Sequence, residues 1–166
     1  KSLNRFVSIF LIVALGVAFY SGIQSAAPDM RYSGDAYFDQ HQLMDVKIMS
    51  TMGLTKKDVE AIGQTAGVEL TEPGYMTDVL CQKGTDQYAL RVESITPTLN
   101  QLTAAKGRLP KNAGECFVDI EFLEKAGYSV GDTITFFRED EDAYKLKEKE
   151  FTIVGAGSSP LYISFN

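Results

Sequence analysis

The sequence predicts an α+β protein, with one N-terminal transmembrane helix followed by a mixed outer domain that holds a β-α-β unit and a β-hairpin-rich lobe. Three observations predict it. Residues 6–23 form an apolar run without a charge; Thr55 opens a helix-start signature between two short strand-like runs; and alternating apolar runs separated by glycine turns fill the rest of the chain.

The first run reads FVSIFLIVALGVAFYSGI, 18 residues. As a helix it measures about 27 Å, close to the thickness of a bilayer's hydrocarbon core. Lys1 and Arg5 precede it, and the next basic residue is Arg31. The positive-inside asymmetry therefore puts the N-terminus in the cytoplasm and the rest outside, with Tyr20 at the outer interface. Ser25-Ala26-Ala27 also fits a signal-peptide cleavage site, so a cleaved leader stands beside the anchor as a second reading. Both place the remaining residues outside the membrane. The expected division is 1–27 as cytoplasmic stub, span and exit, and 28–166 as the extracytoplasmic domain. The chain opens on Lys1 and stops at Asn166 after a strand-like stretch, so a fragment of a longer protein is expected.

Residues 24–31, with Ser, Ala and Pro28, read as an exit linker, and Ser33 as the cap of a helix to about Gln42. Tyr37, His41 and Met44 then share one helical face. In 45–51, Val46 and Ile48 alternate with Lys47 and Met49, which predicts a strand, turned at Gly53. Thr55 with Asp58 three residues on is a capping box, and Leu54 is placed to staple against Val59. Val59 and Ile62 give that helix a buried stripe, Gly63 or Gly67 stops it, and 68–70 returns as a strand to complete the β-α-β unit. Beyond Pro73-Gly74, runs 75–82 and 87–95 flank Lys83-Gly84-Thr85-Asp86, which is hairpin spacing. Tyr88, Leu90 and Val92 mark the core face of the second run. Residues 96–112 read as a loop. A strand over 116–118, a helix over 120–126 capped by Asp119 and ended by Gly127, a strand over 133–137, a charged hairpin tip over 138–150 and a returning strand over 151–154 follow.

Beyond residue 23 the chain carries 14 basic and 22 acidic side chains. Such a surface repels phosphate backbones and argues against nucleic acid as a partner. His41, the only histidine, supports neither a nucleophilic triad nor a metal cage and reads as a surface histidine. Glu139-Asp140-Glu141-Asp142 lacks the spacing and the glycine of a calcium loop. Gly155-Ala156-Gly157-Ser158-Ser159 follows a strand as phosphate loops do, but it lacks the lysine and a following helix. Cys81 and Cys116 permit one disulfide, with two buried thiols as the alternative. No catalytic, cofactor-binding or metal residue is assigned, and no cofactor is expected.

The segments Met52-Gly53-Leu54-Thr55-Lys56-Lys57-Asp58-Val59, Gly107-Arg108-Leu109-Pro110, Gly114-Glu115-Cys116-Phe117-Val118, Ala126-Gly127-Tyr128-Ser129-Val130-Gly131-Asp132-Thr133-Ile134 and Phe151-Thr152-Ile153-Val154-Gly155 follow a basic-flanked first membrane helix. In that order and spacing the chain resembles the FtsX/MacB-type permeases of ABC transporters, from the first transmembrane helix through the periplasmic or extracellular core domain. The resemblance implies a bacterial plasma-membrane protein without enzymatic activity of its own. ATP hydrolysis would belong to a separate ABC ATP-binding subunit. The other implied partners are the remaining permease helices or a second permease copy, membrane lipid along residues 6–23, and an extracytoplasmic cargo or protein. The outer domain would relay ATP-driven motion or engage that cargo. A membrane-anchored or secreted binding module without an ATPase is the competing expectation. The two cysteines depart from what the family pattern needs.

Overall fold

The computed structural model describes residues 2–137 and 146–162. The chain divides into two compact units, Lys1–Gln40 and His41–Asn166, so the expected boundary after residue 27 falls inside the first of them.

Unit one is a single helix, α1 (Ser2–Gln40), of 39 residues with none buried. At about 1.5 Å per residue it is roughly 58 Å long. It is long and apolar enough to cross a membrane. The linker expected over 24–31 is helical instead, with Pro28 inside it. One proline removes one backbone bond and leaves the ladder on either side intact, and the strong helix formers Ala26 and Ala27 precede it. The helix ends at Gln40 and does not reach Gln42, which takes a left-handed φ of 51°. There the carbonyls of His41 and Gln42 accept from the Gln101 and Asn100 amides at 2.8 and 2.9 Å, and Asn100 Oδ1 accepts from the Met44 amide at 3.1 Å. His41 and Met44 thus lie off the helix that was expected to carry them.

Unit two is built on six strands: β1 (Met76–Lys83), β2 (Asp86–Glu93), β3 (Thr103–Gly107), β4 (Glu115–Asp119), β5 (Thr133–Phe137) and β6 (Glu150–Ser158). They run in the order β2-β1-β5-β6-β3, with β4 also paired to β6. The β4–β6 pair is parallel; all others are antiparallel. β6 is the organising strand. Thr152 pairs with Thr133 of β5 and with Glu115 of β4, while Gly155–Gly157 pair with β3 and again with β4. The edge of β6 opposite β4 is therefore shared, β5 taking its first half and β3 its second.

Among the described residues two short helices accompany the sheet. α2 (Lys56–Gly63) carries the expected capping box, with Thr55 Oγ1 accepting from the Asp58 amide and Asp58 from the Thr55 amide. α3 (Ile120–Lys125) is capped by Asp119, which accepts from the amides of Glu121 and Phe122 at 2.8 and 3.2 Å. The core gathers Val79, Cys81, Leu123, Ala126, Tyr128, Ile134, Phe136, Ile153 and Ala156, with Tyr88, Leu90 and Val92 of β2 against it.

The β-α-β unit expected over 45–70 is the main correction. Its helix forms, but 45–51 and 68–70 join no ladder, and α2 buries no residue. Extended backbone becomes a strand only when a neighbour takes up its amides and carbonyls. Burial does not favour pairing here either, since Val46 and Ile48 stay 73% and 52% exposed. Polar contacts hold this segment instead: Lys47 Nζ on Glu93 at 3.0 Å, and the Glu72 carboxylate on the amides of Thr98 and Leu99 at 2.9 Å. A second correction is β3, which lies within the stretch read as a loop. A third is the reach of β6 to Ser158, four residues beyond the expected strand.

Candidate functional site

Three features bear on function: the unburied apolar helix, a turn locked by Arg108 and Glu115, and the pair of thiols in the sheet.

The apolar run 6–23 occupies the first half of α1. Its large side chains are open to the surroundings: Phe6, Phe10, Ile12, Leu15 and Phe19 are all exposed. Leaving that much apolar surface in water is costly, at about 25 cal/mol per Å². A hydrocarbon environment removes the cost. The remainder of the helix, 24–40, adds about 25 Å of polar rod.

The Gly107-Arg108-Leu109-Pro110 segment ends β3 at the point where it crosses β6. The Arg108 amide donates to the Val154 carbonyl at 3.0 Å. Gly155 opposite has no room for a side chain: a Cβ there would overlap the Arg108 carbonyl oxygen and lie 2.8 Å from its nitrogen. Arg108 then turns its guanidinium to Glu115 at the start of β4, with Nη1–Oε2 at 2.8 Å and Nη2–Oε1 at 2.6 Å. Glu115 also accepts from the Lys111 amide at 2.8 Å, the Asn112 amide at 3.2 Å and Asn112 Nδ2 at 3.0 Å. With five donors converging on it, foremost the Arg108 guanidinium, the Glu115 carboxyl is held far below the usual carboxylate range. The two sequence motifs, separated by a loop, are thus two halves of one latch. They hold β3 and β4 on opposite edges of β6.

The Ala126–Ile134 motif is likewise a fixed turn. Asp132 Oδ2 accepts from the Ser129 amide at 3.1 Å and from Lys83 Nζ at 3.3 Å, which together depress its carboxyl. Lys83 Nζ also lies 4.0 Å above the Tyr128 ring. Gly131, with φ of 104°, supplies the left-handed residue the turn needs. The turn at Gly53 is also left-handed, at φ 81°.

Cys81 and Cys116 are both free, the first fully buried on β1 and the second half-buried on β4. Burial raises both thiols, that of Cys116 to about 11, so neither carries appreciable thiolate at neutral pH.

The other sequence candidates fall apart in space. His41 Nε2 lies 2.8 Å from Thr103 Oγ1 at the start of β3. Gly155, Ala156 and Gly157 lie within β6, paired with β3 on one side and β4 on the other, and Ser158 is its last residue, so this stretch is part of the sheet and not a phosphate loop. The acidic run 139–142 lies outside the described residues. Among the described residues no group of three His, Cys, Asp or Glu side chains stands close enough to hold a metal ion. Sequence reasoning recognised both halves of the latch but not their pairing. Complementary charge at a spacing of seven residues around a Pro-Gly loop was the available signal.

Comparison with protein-family models, with curated proteins and with solved structures gave no match in any of the three.

Proposed function

We propose that the chain is the first membrane anchor and part of the outward-facing domain of an ABC-type permease subunit resembling the FtsX/MacB kind, working as a mechanical part and not as an enzyme. The observation that carries the proposal is the uninterrupted helix from Ser2 to Gln40. A rod that runs without a break from an apolar span into a polar extension is what a motion relay between membrane and outer domain requires. A flexible exit would absorb the motion. The motifs around Arg108, Glu115 and Asp132 support the same reading, because their charged side chains are spent on fixing turns and edges of the sheet.

In this reading residues 6–23 contact lipid, the N-terminus is cytoplasmic and unit two is extracytoplasmic. ATP is hydrolysed by a separate ATP-binding subunit, and the remaining permease helices or a second copy complete the membrane part. The test is affinity purification of the full-length gene product from its native membrane. Recovery of an ATP-binding subunit at stoichiometric level supports the proposal; its absence under conditions that keep the membrane part intact refutes it. Intact mass of the same sample separates anchor from leader, since a cleaved leader removes the residues up to about Ala27.

One observation favours the competing module. Val46, Met49 and Met52, within seven residues of one another in the chain, are all exposed, the last at 96%, and exposed apolar side chains grouped in this way are of the sort that engages a partner. A full gene with no further apolar span and no neighbouring ATPase would decide for an anchored binding domain.

A further inference from the structure

The edge of the sheet at β2 has the properties of a pairing surface. β1 and β2 match over all eight residue pairs, Met76↔Glu93 to Lys83↔Asp86, without a bulge. The exposed edges elsewhere differ: β3 and β4 are five residues each, and both ladders to β6 shift register.

The phase of the hydrogen bonds decides which groups face outward. The Ser94 amide donates to the Tyr75 carbonyl at 2.9 Å, so the 75/94 pair is a bonded one. In an antiparallel ladder bonded and non-bonded pairs alternate. Hence Asp86, Tyr88, Leu90 and Val92 bond to β1, while the amides and carbonyls of Gln87, Ala89, Arg91 and Glu93 point away from it. Among the described residues nothing pairs with that outward row. No proline or lysine interrupts the strand, and those are common means by which edges are protected.

We propose that β2 pairs with β2 of a second copy of this chain, antiparallel about a two-fold axis through Ala89. The sequence is self-complementary in that register. Gln87 faces the second copy's Arg91, Tyr88 faces Leu90, Asp86 faces Val92, and Thr85 faces Glu93, so no like charges stand directly opposite. All the outward residues fall in bonded pairs, which joins the two sheets into one. Tyr88, Leu90 and Val92 then continue the apolar face across the axis, while the exposed side chains of Gln87, Ala89 and Arg91 line the other face. A two-fold contact of this type closes on itself and stops at a dimer. The proposal does not rest on the permease reading and is tested without an ATPase.

The experiment uses the full chain in detergent micelles. Light scattering is expected to give a dimeric protein mass. Paired Cα atoms in a bonded position stand about 5.5 Å apart, inside the disulfide range of roughly 4.4–6.8 Å. Oxidation or a short bismaleimide should therefore cross-link Ala89→Cys into a covalent dimer, but not the wild type or the exposed Gln64→Cys on the turn after α2. Two variants remove the contact. Ala89→Pro deletes an outward amide without touching the bonds to β1, and Ala89→Lys sets two ammonium groups face to face. Both should give the monomer mass with the circular dichroism of the parent. Should Ala89→Pro misfold, Ala89→Lys decides alone. A monomer at every attainable concentration overturns the proposal. So does a dimer that survives Ala89→Lys and leaves Ala89→Cys uncross-linked, which would place its contact elsewhere, as on the membrane helix.

Discussion

Substituting Gly155 by alanine adds a single methyl group to a strand, and elsewhere such a change is often favourable. Gly155 is absent from the residues with positive φ, so alanine adopts its backbone conformation without strain. Restricting the unfolded chain by that change is worth about 0.4–1 kcal/mol of stability. The packing opposes it. The new Cβ would overlap the Arg108 carbonyl oxygen and approach its nitrogen at 2.8 Å and its carbonyl carbon at 3.0 Å. These are backbone atoms, and they cannot rotate aside as a side chain does. Arg108 is itself fixed by its amide bond to Val154 and by the Glu115 carboxylate. Overpacking costs about 1–3 kcal/mol and is at its upper end where backbone must move. A net loss of about 2 kcal/mol follows, which lowers Tm by roughly 8 °C for a domain of this size. Thermal scans by circular dichroism of the full chain in detergent measure it. Gly74→Ala is the control, since its nearest neighbour is Ser94 Oγ at 3.8 Å. A Gly155→Ala protein that melts with or above the parent would refute the close crossing of β3 over β6.

Ile134 is fully buried on β5, and Ile134→Ala should cost about 2–5 kcal/mol, read as a lowered Tm; an unchanged Tm would remove β5 from the core. The Glu115 carboxyl is depressed below its ordinary value of 4.5, foremost by Arg108. Its contribution to stability is therefore complete above that pH and fades as pH falls from there toward the folded value. Tm of the parent should drop on acidification more steeply than that of Glu115→Gln, and equal slopes would count against the latch. Both thiols should resist iodoacetamide at neutral pH in the native protein and react after denaturation without a reductant. A denatured protein that labels only after reduction would show a disulfide instead.

The sequence alone determined the elements whose causes are local. The Thr55–Asp58 box, the Asp119 cap and the turn between Lys83 and Asp86 each close within a few residues, and they appear where the pattern puts them. The alternation of Tyr88, Leu90 and Val92 marks the true core face for the same reason, because the pleat of a strand fixes which residues share a side. The apolar run within α1 is also local, since composition and length alone make the helix long and apolar enough to cross a membrane.

Tertiary structure decided everything that depends on a partner distant in the chain. Alternation over 45–51 is a strand pattern, yet among the described residues no neighbouring strand takes up its backbone. Thr103–Gly107 has almost no strand pattern, yet it becomes β3 because the second half of β6 offers a free edge there. The thiols that spacing allowed to meet stay apart on β1 and β4. Arg108 and Glu115 were each visible as letters of a motif, but their ion pair exists because β3 and β4 flank the same strand. Strand pairing is a contract between remote segments, and a single segment carries only one side of it.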